Sequence, residues 1–153
     1  MVKYNITARK EKEAAYRNIV SPELMDELQE KILTAIVLQK KFMDKNYRVD
    51  NLAKDIGTNS RYVSAVISVR FHENYSSLLN RYRIEEALNI LSDEKNRGLS
   101  IEDVSDMVGF SNRQSFYAWF YRLKGITPRQ FRMENLPSKN IEKPKVKKKK
   151  YGE

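Results

Sequence analysis

Residues 101–125, IEDVSDMVGFSNRQSFYAWFYRLKG, repeat in altered form the pattern of residues 49–71, VDNLAKDIGTNSRYVSAVISVRF. Val49, Leu52, Ala53, Ile56 and Gly57 correspond to Ile101, Val104, Ser105, Val108 and Gly109 at an offset of 52. Past the glycine the offset becomes 53, and Val63, Val66 and Ile67 align with Phe116, Trp119 and Phe120. The second copy therefore carries one extra residue in its turn. Repetition of this kind argues for two copies of one small structural unit.

Each copy reads as helix, turn, helix. A short first helix ends at Gly57 or Gly109, where a positive φ costs little. Asn59 in the first copy and Ser111 in the second are the polar residues expected to cap the helix that follows. The second copy also opens with Ser100 and has Asp103 three residues on, close to a capping box. Arg48 stands at the matching place in the first copy, so that helix has a less well specified start.

Outside the repeat the pattern stays helical, and the expected class is all-α with about seven helices. Ser21, Pro22 and Glu23 form a clear helix start, followed by Leu24, Leu28, Ile32, Ala35 and Ile36 at helical spacing; this helix is expected to run to about Phe42. Between the copies, residues 75–91 form a long linker helix with Leu78, Leu79, Tyr82, Ala87, Leu88 and Leu91 on its apolar face. At about 1.5 Å per residue such a helix spans about 26 Å, near the roughly 34 Å repeat of a B-DNA groove. Thr127 and Pro128 start a final short helix. The expected organisation is an arm over 1–20, partly helical through Glu11–Tyr16, a first subdomain with the linker helix over 21–92, a second over 93–135, and a Lys-rich, disordered tail over 136–153.

Composition narrows the chemistry. No apolar run is long enough for a membrane span, and no leader-like stretch follows Met1, so a soluble cytoplasmic protein is expected. The chain has no Cys and one His, His72. That removes disulfides and thiolate metal sites, and leaves no nucleophile–base set; no metal, cofactor or enzymatic activity is expected. The net charge of +9 points to a polyanionic partner. Its distribution tempers that: residues 136–153 carry +5 and residues 1–20 carry +3, leaving 17 basic and 16 acidic residues between them. Within that near-neutral middle, residues 109–133 hold five basic residues and no acid, and residues 57–83 hold four Arg against Glu73.

The arrangement points to double-stranded DNA as the partner. In a helix-turn-helix the second helix enters the major groove with its N-terminal side chains on base edges. With Val63, Val66 and Ile67 turned inward, Ser60, Arg61, Ser64 and Ala65 face out. With Phe116, Trp119 and Phe120 inward, Asn112, Arg113, Gln114, Tyr117 and Ala118 face out. Arg matches the O6/N7 pair of guanine and Gln the N6/N7 pair of adenine. Tyr117 suits stacking or a phosphate, and Ala65 and Ala118 suit a thymine methyl. The competing reading is a helical interaction module that docks on RNA polymerase or another regulator without reading DNA.

With these residues in view, the sequence resembles the DNA-binding domain of the AraC/XylS family of transcription regulators. The second copy carries the signature run SIEDVSDMVGFSNRQSFYAWFYRLKGITPRQFR, including Gly109-Phe110-Ser111, Phe116, Phe120, Gly125, Thr127-Pro128, Phe131 and Arg132. LAKDIGTNSRYVSAVI and NYSSLLNRYRIEEALNIL are similar in the first copy and linker, so the resemblance runs from about residue 24 to 134. It implies two subdomains joined by the long helix, with base contacts from Arg61, Ser64 and Ala65 and from Arg113, Gln114, Tyr117 and Ala118. His72 departs from the glycine often found before the linker helix, and Ser64 and Ala65 are short side chains. Two unlike reading helices in one chain favour a monomer on an asymmetric site, and the short flanks lead us to expect a stand-alone regulator.

Overall fold

The computed structural model describes residues 2–136. Among them are eight α-helices: α1 Val2–Arg17, α2 Pro22–Leu33, α3 Val49–Asp55, α4 Ser60–Val66, α5 Tyr75–Leu91, α6 Ile101–Met107, α7 Arg113–Lys124 and α8 Pro128–Asn135. No described residue lies in a strand. No helix is long and apolar enough to cross a membrane, among the described residues. The Lys-rich segment expected as a disordered tail lies outside them from residue 137 onward.

Helix ends follow their side chains. The Leu24 amide donates to Ser21 Oγ at 3.2 Å, with Pro22 opening α2. α2 passes into a wider turn over Thr34–Leu38, and Lys40, at φ 54°, stops it short of the expected Phe42. That left-handed residue turns the chain so that Phe42 enters the core from a separate short turn. At α6, Ser100 and Asp103 bond each other's backbone amides at 2.9 and 3.1 Å, the full reciprocal box. At α3 only half exists: Asn51 Oδ1 accepts from the Arg48 amide at 2.8 Å, and Arg48 offers no acceptor in return.

The described residues divide into two compact units that meet between Tyr82 and Arg83. The division falls inside α5, not after it at residue 92, because this helix supplies both cores. Leu78 and Leu79 are buried in the first; Ile84, Ala87, Ile90 and Leu91 are buried in the second. The second core is an aromatic chain: Phe110, Phe116, Phe120 and Phe131 meet edge to face, with centroids 5.3, 5.8 and 5.8 Å apart.

The arm expected over residues 1–20 is helical over Val2–Arg17, well beyond Glu11–Tyr16, and packs within the first unit. α1 lies against α4 and the turn Ile67–Phe71, with Tyr16, Ile19 and Val20 on the first core. Its polar anchors explain the docking. The Arg9 guanidinium donates to the His72 carbonyl, and the Glu13 carboxylate, only 7% exposed, lies 3.1 Å from His72 Nδ1. These contacts join residues about sixty positions apart, so no periodicity within 1–20 announces them. His72 itself sits at φ 57°, where the chain leaves its turn for α5; its carbonyl is the one that Arg9 holds.

Candidate nucleic-acid interface

Each recognition helix is mounted on a turn that needs its glycine. Gly57 and Gly109 have φ of 78° and 108°, a region in which a side chain is strained. Asn59 Oδ1 then accepts from the Tyr62 amide at 2.9 Å and caps α4. In the second unit Asn112, not Ser111, is the cap, and its Oδ1 accepts from the Ser115 amide at 2.8 Å. The extra residue of the second turn moves the cap along by one, in step with the offset of 53.

The second unit presents the expected face. Arg113, Gln114 and Ala118 are exposed on α7, while Tyr117 is half-buried with its ring edge on Phe116. Phe116 and Phe120 are fully buried beneath them. Trp119, expected inward with Phe120, is half-buried and carries the Arg122 guanidinium 4.6 Å from its ring centroid. In the first unit Val63, Val66 and Ile67 are fully buried, Arg61 is exposed and Ser64 is half-buried.

Ala65 departs from expectation: it is 0% exposed. It counts among the buried residues of the first core, and α1, α2 and α3 all pack on α4. As described, Ala65 cannot reach a thymine methyl.

An acid on the first helix of each unit holds the first residue of the second. Ser60 Oγ donates to Asp50 Oδ1, and Arg113 Nη1 donates to Glu102 Oε2 at 2.8 Å. Asp50 and Glu102 are matched by the offset of 52, and Ser60 and Arg113 by that of 53. The hydrogen bond from Arg113 holds the Glu102 carboxyl below its ordinary value, and Glu102 in turn raises Arg113. A lowered carboxyl makes its contribution above the unfolded value and loses it as pH falls through the folded one. Both groups are exposed, so the consequence is orientation of Arg113, not stability. We expect an NMR titration to place the Glu102 midpoint below that of an ordinary glutamate and to return it upward in Arg113→Ala. A midpoint that ignores the substitution would mean the pair does not form in solution.

Several basic residues of the two segments serve the protein itself. Arg70 donates to Asp26 Oδ1 and Gln29 Oε1 at 2.7 Å and to the Pro22 carbonyl. Arg81 reaches Glu73 by two nitrogens, and Arg132 holds the Leu99 carbonyl. Arg61, Arg113, Lys124 and Arg129 remain exposed. A polar contact that sequence reasoning missed lies within the first unit: the Tyr47 hydroxyl donates to Asp55 Oδ2 at 2.6 Å. Burial first, then Asp55, pushes that hydroxyl's pKa up, so it stays a donor. Among the described residues no group of three or more His, Cys, Asp or Glu could hold a metal ion.

A family model of helix-turn-helix domains matches residues 52–134. Among curated proteins, an uncharacterized HTH-type transcriptional regulator, YtdP of Bacillus subtilis (strain 168), is 24% identical over 86 residues. That match covers 56% of this chain and 11% of YtdP, so the chain spans about a tenth of that protein's length. The C-terminal domain of AraT, a response regulator from Geobacillus stearothermophilus, has a TM-score of 0.59 at 24% identity, covering 78% of this chain and 91% of that one. An AraC-type transcriptional regulator structure from Chromobacterium violaceum has a TM-score of 0.60 at 22% identity, covering 72% and 96%. A DNA-binding transcriptional dual regulator from Escherichia coli K-12 has a TM-score of 0.61 at 18% identity, covering 72% and 94%. The likeness to solved structures is one of fold.

Proposed function

This chain belongs to the AraC-type helix-turn-helix family, and from that premise we propose that it is a transcription regulator binding double-stranded DNA sequence-specifically. Each recognition helix enters its own major-groove segment. The observation that carries this reading is the doubled unit: two capped helices, each mounted on a glycine turn and showing Arg61 or Arg113 with Gln114 to solvent. Arg113 and Gln114 read guanine and adenine edges, Arg61 reads guanine, and Tyr117, Ser64 and Ala118 supply shorter contacts. The protein works in the cytoplasm, as a single chain on an asymmetric site, and carries no enzymatic activity.

Selection of bound fragments from random double-stranded DNA tests this directly. The expected result is an enriched site with two unlike short blocks, bound by one chain in sedimentation. Absence of any enriched sequence would favour the alternative of a module that docks on RNA polymerase or another regulator. Residues 139–150 hold seven Lys and supply a sequence-independent attraction to phosphates. Deleting them is expected to weaken selected and random DNA alike and to flatten the salt dependence of binding; a loss confined to the selected site would contradict this.

A further inference from the structure

The two recognition helices offer an internal comparison. Ala65 and Ala118 occupy matched positions, as do Ser68 and Tyr121 at the same offset. Ala118 is exposed and Tyr121 is 60% exposed, whereas Ala65 is 0% exposed and Ser68 is half-buried. Only the first helix has a neighbour beside this face: α1 packs on α4, and its Ala8, Arg9 and Lys12 line a cleft with Ser64 and Ser68. Arg9 and Glu13 fasten it there through the carbonyl and ring of His72.

A double-stranded groove and α1 cannot occupy this surface together. We propose that α1 is an intramolecular competitor of DNA, which keeps the first recognition helix covered until it is displaced. This rests on the reading of α4 as a DNA-reading helix. The covered state leaves Arg61 in solvent but sets α1 against Ser64 and Ser68, which a groove wall would otherwise meet. The apparent affinity of the first unit falls by the fraction of chains in which α1 is docked. The second unit has no such cover among the described residues, so it engages first and the first unit follows once α1 has left.

Two full-length variants test the proposal on the site enriched from random DNA. Arg9→Ala with Glu13→Ala removes both polar anchors, leaves the net charge unchanged and keeps good helix formers in α1. We expect it to bind the selected site several-fold to about tenfold tighter and to strengthen protection of the block read by α4. In the second variant, Ala8→Cys with Ser68→Cys, the introduced thiols are unique because the chain has no cysteine. Joined by a short cross-linker that a reductant cleaves, this chain is expected to lose at least about tenfold in affinity and the α4 block alone, and to recover on cleavage. A thiol pair that never joins overturns the docking. A joined chain that binds as well as the cleaved one, or an anchor variant that binds more weakly because α1 itself grips phosphates, overturns the competition. If no form of the chain enriches any sequence, the DNA-reading assignment fails, and the competition with it.

Discussion

Truncation of Phe116 to alanine is expected to destabilise the second unit by about 3–5 kcal/mol, the usual cost of removing a buried phenylalanine. The ring is fully buried and stands at the centre of the aromatic chain, 5.3 Å from Phe110 and 5.8 Å from Phe120. Its loss removes the edge-to-face contacts with Phe110, Tyr117 and Phe120 as well as the transfer term, and each such pair is worth about 0.5–1.5 kcal/mol beyond burial. Whole domains are stable by only about 5–15 kcal/mol, and a unit this small has less to lose. Trp119, the single tryptophan, lies in this unit and reports its unfolding by fluorescence. Its urea midpoint is expected to fall sharply in the variant. A shift worth less than about 1 kcal/mol would mean that the surrounding side chains collapse into the gap.

The second large effect falls on recognition. Arg113→Ala combined with Gln114→Ala is expected to abolish preference for the selected site while leaving helicity unchanged. Each bidentate base contact discriminates by about 1–3 kcal/mol, so the pair accounts for a large part of the specificity in the second unit. Arg113 is not idle before binding, since it is paired with Glu102. That pair is exposed and screened by solvent, so it is not expected to withhold the guanidinium from a guanine edge. Arg61→Ala is expected to relax specificity in the first block by a similar mechanism, about 1–3 kcal/mol. Equal losses on selected and random DNA for these variants would reduce the side chains to phosphate contacts.

Much of the site was legible because helical spacing separates one face of a helix from the other. Val63, Val66, Phe116 and Phe120 lie inward as the repeat required, and Arg61, Arg113, Gln114 and Ala118 lie outward. The turn chemistry was legible in part. The two glycines were evident, but the cap of α7 was read one residue early, at Ser111 instead of Asn112. Both residues are good acceptors, and only the backbone geometry shows which of them meets the Ser115 amide. Charge windows were the weakest guide: Arg70, Arg81 and Arg132 count toward the basic windows in the sequence and are tied to Asp26, Glu73 and the Leu99 carbonyl in the fold.

The repeated unit, its helices and the inward faces of α4 and α7 were determined by the sequence alone, because they depend on spacings of three and four residues and on local caps. Tertiary structure decided what covers the outward faces. Periodicity assigns Ala65 and Ala118 the same side of the same helix, and one is buried and the other exposed. Ala65 joins the first core, and α1 packs on the same helix, bound through Arg9 and Glu13 to His72 across more than fifty residues of chain. A contact between such distant residues leaves no period in the sequence of either partner, so only the folded chain reveals it.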